Sequence, residues 1–200
     1  MSSTLVIHNL HTDFLQETSF SLESRQCLGI HGDSGSGKTL LLRAIADLDV
    51  NSAHITLNGV PRERFSGAQW RRKVALLPAD SQWWAERVGE HAQHWSLPQL
   101  KMLGFPEEIL DWDTSRLSSG EKQRLAVARM LSNKPEVLLL DEPTANLDAS
   151  NSRVVEKIVL EYLKQHPASA IWVSHDLKQL ARVSSAQAQM HRGKLLMETS

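Results

Sequence analysis

Gly32-Asp33-Ser34-Gly35-Ser36-Gly37-Lys38-Thr39 follows the apolar run Gln26 to His31 and opens an amphipathic stretch, Lys38 to Asp47, whose Leu41, Leu42 and Ile45 share one side. The spacing is G-x-x-x-x-G-K-[ST], and the setting is strand, loop, helix, where this spacing has a mechanical meaning. Glycines let successive backbone N–H groups turn toward phosphate oxygens, and the helix N-terminus adds its positive end. Lys38 can then reach the outer phosphates, and the Thr39 hydroxyl suits Mg²⁺.

Working outward, short aliphatic runs alternate with helix-length amphipathic stretches, the pattern of a mostly parallel sheet covered by helices. The expected strands are Leu5 to Ile7, Phe20 to Leu22, Gln26 to His31, Ile55 to Leu57, Val74 to Leu77, Glu136 to Leu140 and Ala170 to Ser174. Val154, Val155, Ile158, Val159, Tyr162 and Leu163 form a helical stripe, which predicts a helix from about Ser150 to His166. Between Leu77 and Leu117 the character changes: Trp83, Trp84, Trp95 and Trp112 crowd a segment broken by Pro98 and Pro106. This reads as a small helical lobe, residues 81–116, inserted into an α/β core formed by 1–80 and 117–200, with its tryptophans more core than contact surface.

Composition narrows the partners. Among 200 residues, 22 Lys and Arg stand against 23 Asp and Glu, a net charge of −1, so no basic field exists for gripping nucleic acid. The single cysteine, Cys27, excludes an internal disulfide. The start Met1-Ser2-Ser3-Thr4-Leu5 lacks the features of a signal peptide, and no apolar run approaches the roughly 20 residues of a membrane helix. A cytoplasmic protein is expected, and any spanning of a membrane falls to another chain.

Three further stretches carry chemistry. Val137-Leu138-Leu139-Leu140-Asp141-Glu142-Pro143 reads as a buried strand ending in two carboxylates, where charge is costly unless it is used. Because neighbouring strand residues face opposite ways, Asp141 is expected to hold Mg²⁺ and Glu142 to polarise the attacking water. Leu117-Ser118-Ser119-Gly120-Glu121 precedes an amphipathic helix, and Ser118 with Glu121 spells a capping box; the same amides at a helix N-terminus also suit a phosphate arriving from outside. In Trp172-Val173-Ser174-His175-Asp176 a histidine ends a strand, and Asp148 reads first as a helix cap.

Taken in order, these pieces resemble the nucleotide-binding domain of ABC ATPases over essentially the whole chain. Gly32 to Thr39 is similar to the Walker A loop and Leu117 to Glu121 to the family signature. Val137 to Glu142 resembles the Walker B strand, Ala145-Asn146-Leu147-Asp148 the D-loop, and His175 the switch histidine. The resemblance implies a P-loop NTPase (RecA-like) α/β core with an N-terminal antiparallel β piece. It also implies that ATP and Mg²⁺ bind at Gly32, Asp33, Ser34, Gly35, Ser36, Gly37, Lys38, Thr39 and Leu40, with Thr39 and Asp141 on the metal. Glu142 would be the general base and His175 would contact the γ-phosphate. Ser118, Ser119, Gly120 and Glu121 would contact ATP held by a second ATPase subunit, in a homodimer.

Three departures accompany the resemblance. Ala79 stands where the family carries a glutamine that helps hold Mg²⁺, leaving Asp80, Gln82 or a water as the alternatives for that place. The aromatic that stacks on adenine has no obvious counterpart beyond His11 or Phe14. Leu40 replaces a common hydroxyl residue, leaving only its backbone N–H for phosphate. The compact lobe looks most like that of small bacterial ABC ATPases encoded apart from their permeases, the iron-export group being nearest. The expectation is therefore an ATPase subunit that powers a separate integral membrane permease from the cytoplasmic face, with no nucleic acid involved. The alternative is a soluble ABC-type ATPase acting on a nucleic-acid or protein complex.

Overall fold

The computed structural model describes residues 3–198; Met1, Ser2, Thr199 and Ser200, the ends of the expected 1–200 span, lie outside the described residues. In chain order the elements are β1 (Ser3–Leu10), β2 (Thr18–Glu23), β3 (Cys27–His31), α1 (Lys38–Ile45), β4 (His54–Leu57), β5 (Val60–Pro61), α2 (Gly67–Lys73), β6 (Val74–Leu77) and α3 (Leu97–Met102). Then come α4 (Ser119–Ser132), β7 (Val137–Asp141), α5 (Ala149–Gln165), β8 (Ser169–Val173), α6 (Leu177–Val183), β9 (Ala186–His191) and β10 (Lys194–Met197). A six-stranded sheet runs in the order β10-β9-β3-β8-β7-β6 and a four-stranded one in the order β2-β1-β4-β5. The larger sheet is parallel from β9 to β6 with an antiparallel β10 at its edge, and the smaller is antiparallel.

The parallel sheet is buried on both faces, which is why its strands read as continuous apolar runs. Alternation still assigns each side chain. Val137, Leu139, Ile171 and Val173 join a core with α1 and the antiparallel sheet, including Leu5, Ile7, Leu41, Ile45 and Trp70. Leu138, Leu140, Ala170 and Trp172 face the other way, against Leu125, Ala128, Val155, Val159 and Leu180 of α4, α5 and α6. Each large side chain sealed this way contributes about 1.5–3 kcal/mol, so the central strands are fixed from two sides.

The expected stripe holds in α5, where Val155, Ile158, Val159, Tyr162 and Leu163 are buried and Val154 partly so; a carboxylate, Glu156, is buried among them. Between β6 and α4 the segment contains α3 and three 3-10 turns, Val88–His91, Glu107–Asp111 and Thr114–Arg116. Its Val88, Leu100, Leu103, Phe105 and Ile109 are continuous with the α4/α5 core. The four tryptophans divide: Trp83 and Trp95 pack against that core, while Trp84 and Trp112 are 70% and 44% exposed. No helix among the described residues is long and apolar enough to cross a membrane. Strands β5, β9 and β10 were not expected from the sequence; Ala186-Gln187-Ala188-Gln189 has the period of a strand but little β-branched character.

Candidate active site

Three neighbouring parallel strands, β3, β8 and β7, deliver the site at their C-terminal ends. Ile30 lies opposite Val173, and Val173 opposite Asp141, so the three segments beyond them leave the sheet at one level. This is the crevice above a parallel sheet where ligands bind in α/β folds.

After β3, the loop is built on backbone that only glycine adopts freely. Gly32, Gly35 and Gly37 have φ of 146°, 76° and 112°, and Gly37 is the residue that begins α1. A Cβ on Gly32 would stand 2.2 Å from the Met190 carbonyl oxygen. Lys38 folds back over the loop, its Nζ donating to the carbonyls of Gly32 (2.7 Å) and Asp33 (2.8 Å). Burial lowers the Lys38 pKa although Glu142, Asp141 and Asp33 all act to raise it. Ser36 Oγ is buried without a hydrogen-bond partner, an orphaned polar atom in a loop shaped to receive anionic oxygens.

Asp141, 5% exposed, accepts from the Thr39 hydroxyl at 2.7 Å. Two hard oxygen donors in contact beside a phosphate-type loop form a fitting part-shell for Mg²⁺, which keeps waters and phosphate oxygens as its other ligands. Glu142 corrects the strand reading. β7 ends at Asp141, and Glu142 takes a left-handed φ of 48°, so a turn and not strand alternation aims its side chain. Such a conformation costs a non-glycine residue of order 1–3 kcal/mol and persists where surroundings over-determine it. Its N–H is held by the Val173 carbonyl at 3.1 Å. Glu142 Oε1 is buried with no aligned hydrogen bond, and His175 Nε2 lies 3.4 Å away. Burial pushes the Glu142 carboxyl above the ordinary range; Asp141 adds to the rise, while His175 and Lys38 oppose it.

Ser118 begins α4 as the capping box predicts. Its N–H donates to Glu121 Oε2 at 2.8 Å and its hydroxyl to the same oxygen at 2.7 Å, and its Oγ accepts from the Glu121 N–H at 3.3 Å. These bonds hold the Glu121 carboxyl below its usual value. Ser118 and Ser119 are exposed. Among the described residues, no hydrogen bond or ion pair joins Ser118–Glu121 to Gly32–Thr39. Gly120 instead abuts the 145–148 turn, where a Cβ on it would stand 3.3 Å from the Asn146 carbonyl. Asp148 caps α5, accepting from Asn151 N at 2.8 Å.

Ala79 is exposed just beyond β6. Asp80 and Gln82 bond each other at 3.4 Å, and neither bonds Thr39, Asp141 or Glu142. Beside α1 an open cavity of about 700 Å³ is lined by His11, Phe14, Leu40, Arg43, Val50 and Ser52. Ser52 Oγ lies 2.7 Å from His11 Nδ1, and Phe14 is 76% exposed.

Sequence reasoning missed a polar network behind the site. Gln179, 3% exposed on α6, places its Nε2 2.9 Å from Thr144 Oγ1 and 3.0 Å from Glu156 Oε1, while Trp172 Nε1 donates to its Oε1 at 3.2 Å. Glu156 also accepts from Arg182 Nη2 (2.7 Å) and Nε (3.1 Å) and from Arg153 Nη1 (3.3 Å). The signal was a lone carboxylate inside the apolar stripe of α5.

A phosphate loop between strand and helix, with two carboxylates at the end of a nearby parallel strand, defines a P-loop NTPase core. The chain belongs to the ABC transporter family, in its ATP-binding part: the family model described as ABC transporter matches residues 15–145, well over half of its length. Its fold is similar to that of a solved structure described as an ATP binding subunit of an ABC transporter, with a TM-score of 0.88 and 20% identity over 98% of this chain and 90% of that one. It is also similar to a bacterial Atm1-family ABC exporter with ATP bound, with a TM-score of 0.84 and 21% identity over 97% of this chain. The chain spans 38% of the exporter's length.

Proposed function

We propose that this chain is the ATP-hydrolysing subunit of an ABC transporter, working as a homodimer on a separate integral membrane permease at the cytoplasmic face of the membrane. The observation that carries this reading is the division of the site. The loop, Thr39, Asp141, Glu142 and His175 gather at three strand ends, while the exposed, capped N-terminus at Ser118-Ser119-Gly120 shares no hydrogen bond or ion pair with them. A surface built to receive phosphate but set apart from the loop is used when a second copy brings its own nucleotide to it.

In this reading residues 32–40 cradle the phosphates of ATP, Lys38 exchanging its bonds to Gly32 and Asp33 for phosphate oxygens. Phe14 stacks on adenine in the cavity beside Leu40. Thr39 and Asp141 hold Mg²⁺, which when bound neutralises charge on the phosphate oxygens. Glu142 takes a proton from water as the water oxygen bonds to the γ-phosphorus and the bond to the bridging oxygen breaks, giving ADP and phosphate. His175 orients Glu142 and the γ-phosphate. Ser118, Ser119, Gly120 and Glu121 close over the other copy's ATP, and Asp148 holds the turn that faces it. The core is 1–80 and 117–200, and the lobe 81–116 serves the permease. Supporting that role, a groove of about 420 Å³ runs between core and lobe, lined by Leu77, Pro78, Met130, Arg71, Arg129 and the exposed Trp84. An exposed tryptophan with arginines beside it on such a groove is the composition of contact surfaces.

The test is affinity purification of tagged Glu142→Gln from gently solubilised native membranes, with the co-purifying chains identified by mass spectrometry. A stoichiometric multi-span protein, and a dimer in light scattering at saturating Mg-ATP, are expected. Recovery only with soluble proteins or nucleic acid overturns the transporter reading, and a strictly monomeric variant overturns the homodimer.

A further inference from the structure

Glu142 and His175 reach the site from separate strand ends, and each is followed by a segment that Gln179 touches. Two residues after Glu142 comes Thr144; one residue after His175 comes Asp176, which caps α6 by accepting from the N–H groups of Lys178 (2.9 Å) and Gln179 (3.1 Å). The Gln179 side chain crosses between these segments. Its Nε2 lies 2.9 Å from Thr144 Oγ1, and Thr144 begins the turn that Leu147 N closes onto the Thr144 carbonyl at 3.1 Å. The amide is held at both ends. Trp172 Nε1 fixes its oxygen from the strand that delivers His175, and Glu156, 4% exposed, fixes its nitrogen from α5. Glu156 in turn is held by the Arg182 fork, one turn further along α6, and by Arg153.

We infer that Gln179 is a positioning residue for hydrolysis: with Thr144 it clamps the turn carrying Glu142 to the helix after His175, fixing the spacing of those two groups. This inference rests on the roles proposed above for Glu142 and His175. The physical need is specific. Glu142 sits in a left-handed conformation that relaxes unless held, and its 3.4 Å approach to His175 spans two different strand ends. A fully satisfied buried network supplies such a hold with little freedom of its own. Misplacement by about 1 Å costs up to about 100-fold in rate with little effect on substrate binding, because most binding contacts in the reading above come from the loop and Phe14.

The test compares steady-state ATPase, nucleotide affinity and thermal midpoint for Thr144→Val, Thr144→Ser, Gln179→Met and Thr144→Val/Gln179→Met, with Glu142→Gln alongside. Thr144→Val removes only the hydroxyl and leaves Gln179 bonded to Trp172 and Glu156, so it answers even where Gln179→Met folds poorly. Expected are a kcat about 10- to 100-fold lower for Thr144→Val and Gln179→Met at unchanged KM and nucleotide affinity. The double variant should be no worse than the weaker single one, and Thr144→Ser should recover most of the loss. A Thr144→Val that turns over like wild type beside an inactive Glu142→Gln overturns the clamp and leaves the general base standing. A lowered midpoint with kcat unchanged, or a Thr144→Ser as impaired as Thr144→Val, equally overturns it. A fully active Glu142→Gln fails the proposed role of Glu142 itself.

Discussion

The Thr39 hydroxyl donates to Asp141 Oδ2 over 2.7 Å, tying the first turn of α1 to the end of β7, although 102 residues separate them in the chain. Both are hard oxygen donors, and Asp141 is almost wholly buried, so the pair is set before any ion arrives. Thr39→Ala removes a proposed metal ligand and leaves the buried Asp141 carboxylate short of a partner, a cost of about 1–3 kcal/mol in stability. Asp141→Asn and Thr39→Ala are each expected to raise the Mg²⁺ concentration for half-maximal ATPase by roughly 10- to 100-fold, as loss of metal-supporting groups does. Thr39→Ser should stay near wild type. A Mg²⁺ titration at fixed ATP, with melting curves alongside, decides it.

Phe14 carries the second prediction. Its ring is 76% exposed at the rim of a cavity that borders Leu40, the residue after Thr39, whereas His11 in the same cavity is bonded by Ser52. Stacking a base on an aromatic is worth about 1–3 kcal/mol, so Phe14→Ala should raise KM for ATP roughly 5- to 150-fold at little change in kcat. Phe14→Tyr should restore it. Competition with a fluorescent ATP analogue reads the effect directly, and an unchanged affinity removes Phe14 from the adenine site.

What was legible in the sequence was local and periodic. The loop, the α5 stripe and the continuous apolar run of β7 each state their structure within a dozen residues, and the capping box at Ser118 and the cap at Asp148 form as their residue types require. What was not legible is set by partners far away in the chain. The left-handed turn at Glu142 is held from Val173, and the buried Glu156 is balanced by Arg182, 26 residues on. β9 escaped notice because Ala188 and Met190 are buried by position beside β3 and not by strong strand preference.

Ala79 supplies the third prediction. It lies exposed beyond β6 where the family resemblance expects an amide, and Asp80 and Gln82 are engaged with each other and not with Thr39 or Asp141. The bond between Thr39 and Asp141 involves none of residues 79–82. Ala79→Gln is expected to preserve or raise Mg²⁺-dependent turnover. A large fall in kcat at unchanged nucleotide affinity would mean that another group works in that space.

The last prediction comes from the charge around Glu142. Burial raises its pKa and Asp141 raises it further, while His175 and Lys38 pull it down without restoring the ordinary value of about 4.3. In its proposed role as base Glu142 works only when ionised, so the acid limb of the kcat–pH profile should lie above the normal carboxylate range. His175→Ala deletes the first of the two opposing groups, so the limb should move to still higher pH, in addition to any loss of rate. The same shift has a stability consequence of opposite sense. A carboxyl that holds its proton more tightly folded than unfolded favours folding at low pH, and that contribution is lost as pH rises through the folded-state value. Glu142→Gln, which mimics the protonated form, should therefore melt higher than wild type at pH 7–8, with the difference shrinking toward pH 4. This one group's contribution to stability would then be least favourable where it is ionised, the trade expected of a group held for chemistry and not for packing. A kcat–pH series at saturating Mg-ATP together with melting curves of both proteins across the same range tests both halves, and an acid limb unmoved by His175→Ala would remove Glu142 as the titrating group.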